Sequence, residues 1–176
     1  MNFEQGEVIL IDKPLDWTSF DVVNKIKFAL KKKYGKIKIG HAGTLDPKAT
    51  GLLILCTGKK TKDIEAIQNA DKVYTGSFFL GATTVCFDTE KEPNQTFDIS
   101  GITEDAIYDC AKTFVGEQEQ FPPIHSAVKI DGKRAYDLAR AGKEVAVKSK
   151  VITIKKFDIT KIELPIIDFY VECTKG

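Results

Sequence analysis

Gly40-His41-Ala42-Gly43-Thr44-Leu45-Asp46-Pro47-Lys48-Ala49-Thr50-Gly51-Leu52-Leu53 is the stretch on which the reading of this chain turns, and it runs into the apolar segment Leu52 to Leu55. Gly40, Gly43 and Gly51 give the backbone conformations that other residues resist, so a compact loop can place one side chain accurately. That side chain is Asp46, a carboxylate standing just ahead of a segment that reads as a buried strand. Asp followed by Pro is also a common helix start, with Asp as N-cap and Pro at the first helical position. A plain cap is therefore the competing reading.

Working outward, Val8 to Ile11 is a short β-branched run of the kind that forms a strand buried on both faces, ended by Pro14. Thr18 and Asp21 have capping-box spacing, and Val22, Val23, Ile26, Ala29 and Leu30 then recur at helical intervals. An amphipathic helix over about 19–33 should lay that face on the sheet. It ends in Lys31-Lys32-Lys33, with Lys25, Lys27, Lys36 and Lys38 nearby. These cations either complement the helix dipole or face phosphate, and the two roles are compatible.

Past the loop, a helix is expected over about 60–70, then a strand from Lys72 to Gly81 with Tyr74, Phe78 and Leu80 on one face. The stretch from Phe87 to Asp109 is acidic, a surface RNA should avoid, and Thr103 opens a helix ending near Val115. Residues 122–142 read as loop and short helix, with Lys129, Lys133, Arg134, Arg140 and Lys143 nearby. In the last strand, Ile167, Phe169, Val171 and Cys173 alternate with Asp168, Tyr170 and Glu172. The pattern predicts an α+β domain on a mixed, largely antiparallel sheet flanked by helices.

Four segments, in the family's order along the chain, resemble the TruB family of bacterial tRNA pseudouridine-55 synthases. The loop from Gly40 to Leu53 is similar to the family's catalytic motif, and Gly6 to Pro14 with Trp17-Thr18-Ser19 is similar to its opening motif. Lys72-Val73-Tyr74 with Leu80-Gly81 and Thr83-Thr84 resembles the segment that supplies the active-site tyrosine. Pro122-Pro123 with Ser126-Ala127-Val128-Lys129 resembles a thumb-like, RNA-gripping insertion, placed here over about 122–150.

The resemblance implies a pseudouridine synthase fold and a tRNA substrate, the uridine of the T-loop in the T-arm. It also implies a reaction that cuts the bond from ribose C1′ to uracil N1 and rejoins the base through C5. Asp46 would be the catalytic carboxylate, attacking base or sugar or removing a sugar proton; sequence leaves these three open. Tyr74 would stack on the flipped uracil and His41 would enter the space beside it. Lys13 and Pro14 would brace the catalytic loop, with Lys13 equally readable as a surface charge. His125 stands where many relatives carry an aromatic residue.

In the family, the final strand continues into a Thr-Tyr-Ile-Arg segment whose arginine pairs with the aspartate, then into the rest of the catalytic domain and a C-terminal RNA-binding domain. Residues 1–176 are thus expected to be part of such a catalytic domain, with little or no turnover alone. The rival class is a catalytically silent tRNA-binding or RNA-folding module on the same scaffold. Asp46 discriminates, since binding alone has no use for it.

Bulk properties fit without deciding. Twenty-six basic against twenty-five acidic residues in 176 give a net charge of +1, so any RNA surface must be local. Four cysteines, Cys56, Cys86, Cys110 and Cys173, without any Cys-x-x-Cys pair, read as buried reduced thiols, and no metal site is expected. Gly58-Lys59-Lys60-Thr61 has the wrong spacing for a phosphate loop, and no dinucleotide fingerprint occurs, so no cofactor is expected. A cytoplasmic monomer without membrane association completes the expectation.

Overall fold

In the computed structural model, residues 1–85, 91–121, 129–130, 133–134 and 149–175 are described. The chain divides into two compact units, Met1–Ala70 and Asp71–Gly176.

The first unit contains β1 (Val8–Lys13), α1 (Ser19–Tyr34), β2 (Ile39–His41), β3 (Gly51–Thr57), a 3-10 turn (Gly58–Lys62) and α2 (Ile64–Gln68). Its sheet has the order β1-β3-β2, with both pairings antiparallel. Val22 and Val23 of α1 pack on Leu53 and Leu55 of β3, and Ile9, Ile11, Ile26, Ile39 and Leu45 close around them. At about 1.5–3 kcal/mol per fully buried large aliphatic side chain, this cluster is the main cohesive element of the unit.

Only one face of β1 is covered, which corrects the expectation for this strand. Ile9 and Ile11 pack on the core, whereas Val8 and Leu10 are exposed, Leu10 at 66%. α1 shields the face of Ile9 and Ile11, so the alternate residues of β1 stay exposed, although Cys56 on that same side of β3 is fully buried. The helix expected over 60–70 is instead a 3-10 turn followed by the five-residue α2.

The start of α1 follows the capping-box expectation. Thr18 accepts from the Asp21 amide while the Asp21 carboxylate accepts from the Thr18 amide, and Gly35, at φ +77°, closes the other end by donating to Lys31 O.

The second unit contains β4 (Lys72–Phe79), β5 (Ala82–Thr83), β6 (Gln95–Thr96), α3 (Glu104–Thr113), β7 (Gly116–Gln120), β8 (Lys129–Ile130), β9 (Lys133–Arg134), β10 (Lys150–Glu163) and β11 (Ile166–Cys173). Its main sheet runs β4-β11-β10-β7, antiparallel throughout, and β5-β6 and β8-β9 form two small ladders. Cross-strand register puts Tyr74 opposite Val171, Gly76 opposite Phe169 and Phe78 opposite Ile167. These residues share a face.

That face carries an aromatic cluster. Phe169 stacks on Phe78 at 4.4 Å between centroids, Phe157 meets Phe169 edge-on, and Phe114 reaches Phe157. Gly76 admits the Phe169 ring, because a Cβ there would come within 3.0 Å of it. Leu80, expected on the strand, lies just past its end. Most of the thumb-like segment over 122–150, His125 included, lies outside the described residues, as does Cys86. Cys56 is buried, Cys173 half-buried and Cys110 exposed, so the buried-thiol expectation fails at Cys110, on the outer side of α3.

Candidate active site

The loop from Ala42 to Thr50 connects β2 to β3, and no helix begins at Asp46. Instead the Ala49 amide donates to Asp46 O at 3.0 Å, closing a four-residue turn with Pro47 in its second position, where proline's fixed φ fits. The helix-cap reading of Asp46 is therefore replaced by a turn that presents an exposed carboxylate. Gly43 and Gly51, at φ +129° and +112°, supply the backbone freedom expected of them. Gly40 serves a different purpose: a Cβ there would come within 2.8 Å of Ile64.

Both residues flanking Asp46 are held by the rest of the unit. Ahead of it, the Ser19 hydroxyl accepts from the Leu45 amide at 2.9 Å and donates to Leu45 O at 3.0 Å. Behind it, Pro47 O accepts from the Asp16 amide at 2.8 Å and, more weakly, from Lys13 Nζ at 3.4 Å. Lys48 adds an exposed ion pair to Asp16 at 2.7 Å.

Lys13 is fully buried, with 0% exposure, which overturns the surface-charge reading. Its ammonium donates to Pro14 O at 2.9 Å and Trp17 O at 2.6 Å besides Pro47, so its partners are carbonyl dipoles, not a carboxylate. The bracing role expected of Lys13 thus has a geometry. Its own period-two position was a signal: Ile9, Ile11 and Lys13 share the inward face of β1.

Ser19 and Asp16 were not singled out by sequence reasoning as supports of the loop. For Ser19 a signal existed, since Ser19, Val22, Val23 and Ile26 form one stripe at helical spacing, and a hydroxyl on a buried stripe needs partners. Asp16, at φ +64°, carried none beyond the tolerance of Asp for that conformation.

His41 ends β2 opposite Leu55, and its Nδ1 donates to Gly43 O. That bond orients the ring and leaves Nε2 for another partner. His41 and Asp46 thus bracket one loop of the first unit. Tyr74 belongs to the second unit, 47% exposed on the sheet face that also carries the Phe78 and Phe169 stack. Burial, with a smaller contribution from Cys173, raises the Tyr74 phenol above its ordinary value, so it is protonated at neutral pH.

Next to the loop, Asp16, Trp17, Asp21, Lys25 and Phe28 line an open cleft of about 420 Å³. Among the described residues, none of Lys25, Lys27, Lys31, Lys32, Lys33, Lys36 and Lys38 pairs with a carboxylate, and all are exposed. No group of potential metal ligands is present among the described residues, and none of their helices is long and apolar enough to cross a membrane.

Comparison with known proteins matches residues 31–176 to the TruB family pseudouridylate synthase N-terminal domain. A tRNA pseudouridine synthase B of Flavobacterium johnsoniae is 54% identical over 175 residues, covering 98% of this chain and 76% of that protein. One of Chlorobaculum tepidum is 53% identical over 174 residues, covering 98% and 72%.

Among solved structures, a chain in a Cbf5-Nop10-Gar1 complex superposes with a TM-score of 0.69 at 29% identity, over 99% of this chain and 41% of that one. A chain in an H/ACA RNP bound to a substrate RNA gives 0.65 at 25% identity, over 99% and 39%. This chain therefore spans about two fifths of those two. Asp46, His41 and Tyr74 all fall inside the matched domain, and the two bacterial synthases match 98% of the chain at more than half identity: this chain belongs to the TruB family of pseudouridylate synthases.

Proposed function

We propose that this protein converts uridine 55 of the tRNA T-loop to pseudouridine, with Asp46 as the catalytic carboxylate. The observation that carries the proposal is an exposed Asp46 on a turn whose two flanking residues are fixed by Ser19, Asp16 and Lys13. A carboxylate held this way can react at one face of a substrate without drifting, which is where enzymes gain much of their rate. The relatives' name supplies the substrate class.

The chemistry is an isomerisation: one glycosidic bond breaks at N1, one forms at C5, and a proton leaves C5 while N1 gains one. It calls for no external group donor. A T-loop uridine must leave its stack to be reached, at a cost of a few kcal/mol. Stacking on the Tyr74 ring recovers roughly 1–3 kcal/mol of that. His41, with its ring fixed through Nδ1, offers Nε2 to the extruded nucleotide. The lysines of residues 25–38, which have no carboxylate partner among the described residues, supply sequence-independent phosphate contacts, and Trp17 and Phe28 expose rings beside Lys25 for base stacking.

The test is Asp46→Asn in the full-length protein, assayed on tRNA for T-loop pseudouridine and for binding. The expected result is retained binding without turnover. Turnover close to that of the unmodified protein would reject Asp46, and a wild-type protein that binds tRNA but makes no pseudouridine would favour a binding module.

A further inference from the structure

We infer that Ser19 is a positioning residue for Asp46, acting through the Leu45 peptide groups; the inference rests on the reading of Asp46 as the reacting carboxylate. Ser19 is 3% exposed at the first turn of α1, on the stripe that Val22 and Val23 press into the core. Its hydroxyl spends both of its capacities on one residue, accepting from Leu45 N at 2.9 Å and donating to Leu45 O at 3.0 Å.

Those two atoms belong to different peptide planes. The N–H lies in the Thr44–Leu45 plane and the carbonyl in the Leu45–Asp46 plane, which also contains the amide nitrogen and Cα of Asp46. A bond to Leu45 O therefore restrains the Cα that carries the carboxylate. Thr44 and Asp46 are exposed, so packing does not hold them. The helix does, because α1 is anchored against Leu53 and Leu55 of the strand that follows the loop.

Without the hydroxyl, the loop keeps its anchor at Pro47 and the packing of the Leu45 side chain on the core, but loses the two hydrogen bonds that fix the peptide planes on either side of Leu45, so the Asp46 Cα gains freedom. Loss of placement lowers rate far more than affinity, since RNA affinity comes mainly from phosphate contacts. Ser19 thus sets the turnover of the site without touching substrate.

The experiment compares Ser19→Ala, Thr18→Ala and Asp46→Asn in the full-length protein, measuring kcat and KM on tRNA, Tm, and amide exchange at Leu45. Thr18→Ala removes the cap of the same helix and leaves Leu45 untouched, so it reports helix stability alone. Ser19→Ala is expected to lower kcat by about 10- to 100-fold with KM within about twofold, and to speed exchange at Leu45. Thr18→Ala is expected to lower Tm and preserve kcat.

Unchanged kcat in Ser19→Ala overturns the inference, as does a fall in kcat that tracks Tm equally in both helix variants. If wild type is active, Asp46→Asn is silent and Ser19→Ala is normal, only the Ser19 role fails. If Asp46→Asn stays active, or wild type makes no pseudouridine, the reading of Asp46 fails and the Ser19 role with it.

Discussion

The ammonium of Lys13 donates to the carbonyl of Trp17 at 2.6 Å from a position wholly removed from solvent. A charge buried among carbonyl dipoles carries a desolvation cost that only several good hydrogen bonds can offset. Here those bonds tie the end of β1, the residue before the α1 cap and the turn behind Asp46 to one atom. The lysine is a strut between three backbone segments.

Lys13→Ala removes the strut and leaves the Trp17 and Pro14 carbonyls facing a cavity, while Pro47 O keeps the Asp16 amide. Unsatisfied buried carbonyls and lost packing together are expected to cost about 2–4 kcal/mol, read as a lower urea midpoint. Lys13→Arg is not expected to restore it, because a planar guanidinium does not fit a fully buried ammonium site. A loss under about 1 kcal/mol in Lys13→Ala would show that the bonds merely decorate the fold.

Leu55→Ala tests the floor beneath the site. Leu55 is fully buried, packs on Val22 and Val23, and lies opposite His41 in the ladder. Truncation is expected to destabilise by about 2–5 kcal/mol in equilibrium unfolding. A change below about 1 kcal/mol would mean that α1 is not seated on β3 as described.

The α1 cap makes stability depend on pH in a defined direction. The Asp21 carboxyl lies below its ordinary value because the Thr18 hydroxyl and then the Thr18 amide bond to it. A depressed folded value contributes stability above the unfolded value of about 3.9, and that contribution is lost as pH falls through the folded value. Asp21→Asn should therefore lower the unfolding midpoint at pH 7, with the difference from wild type shrinking below about pH 4. A difference constant from pH 7 to pH 3 would rule out the charge as its origin.

How much of this was legible in the sequence depended on whether a residue's partners lay close in the chain. Thr18 and Asp21 are three residues apart and their capping box was readable, as were the alternation of β11 and the glycines at Gly43 and Gly51. The family motif pointed to Asp46. The inward positions of Ser19 and Lys13 were readable, but the identity of their partners across long separations was not: Ser19 to Leu45, Asp16 to Pro47, Lys13 to Pro47. The exposure of Leu10 was hidden too, because a continuous apolar run reads alike whether one or both faces of its sheet are covered.

Tyr74 separates stacking from proton transfer. Its ring is half-exposed on the sheet face that also carries the Phe78 and Phe169 stack, and burial raises its hydroxyl above the ordinary value of about 10. A raised folded value means that stability is fully present below about pH 10 and is lost as pH rises through the folded value. Tyr74→Phe should abolish that alkaline component while keeping the ring. In turnover assays it should preserve tRNA affinity and lose whatever the hydroxyl contributes to proton movement, whereas Tyr74→Leu should lose in addition roughly 1–3 kcal/mol of base stacking. Equal activity in Tyr74→Leu and wild type would remove Tyr74 from the site and leave it as a half-exposed residue of β4.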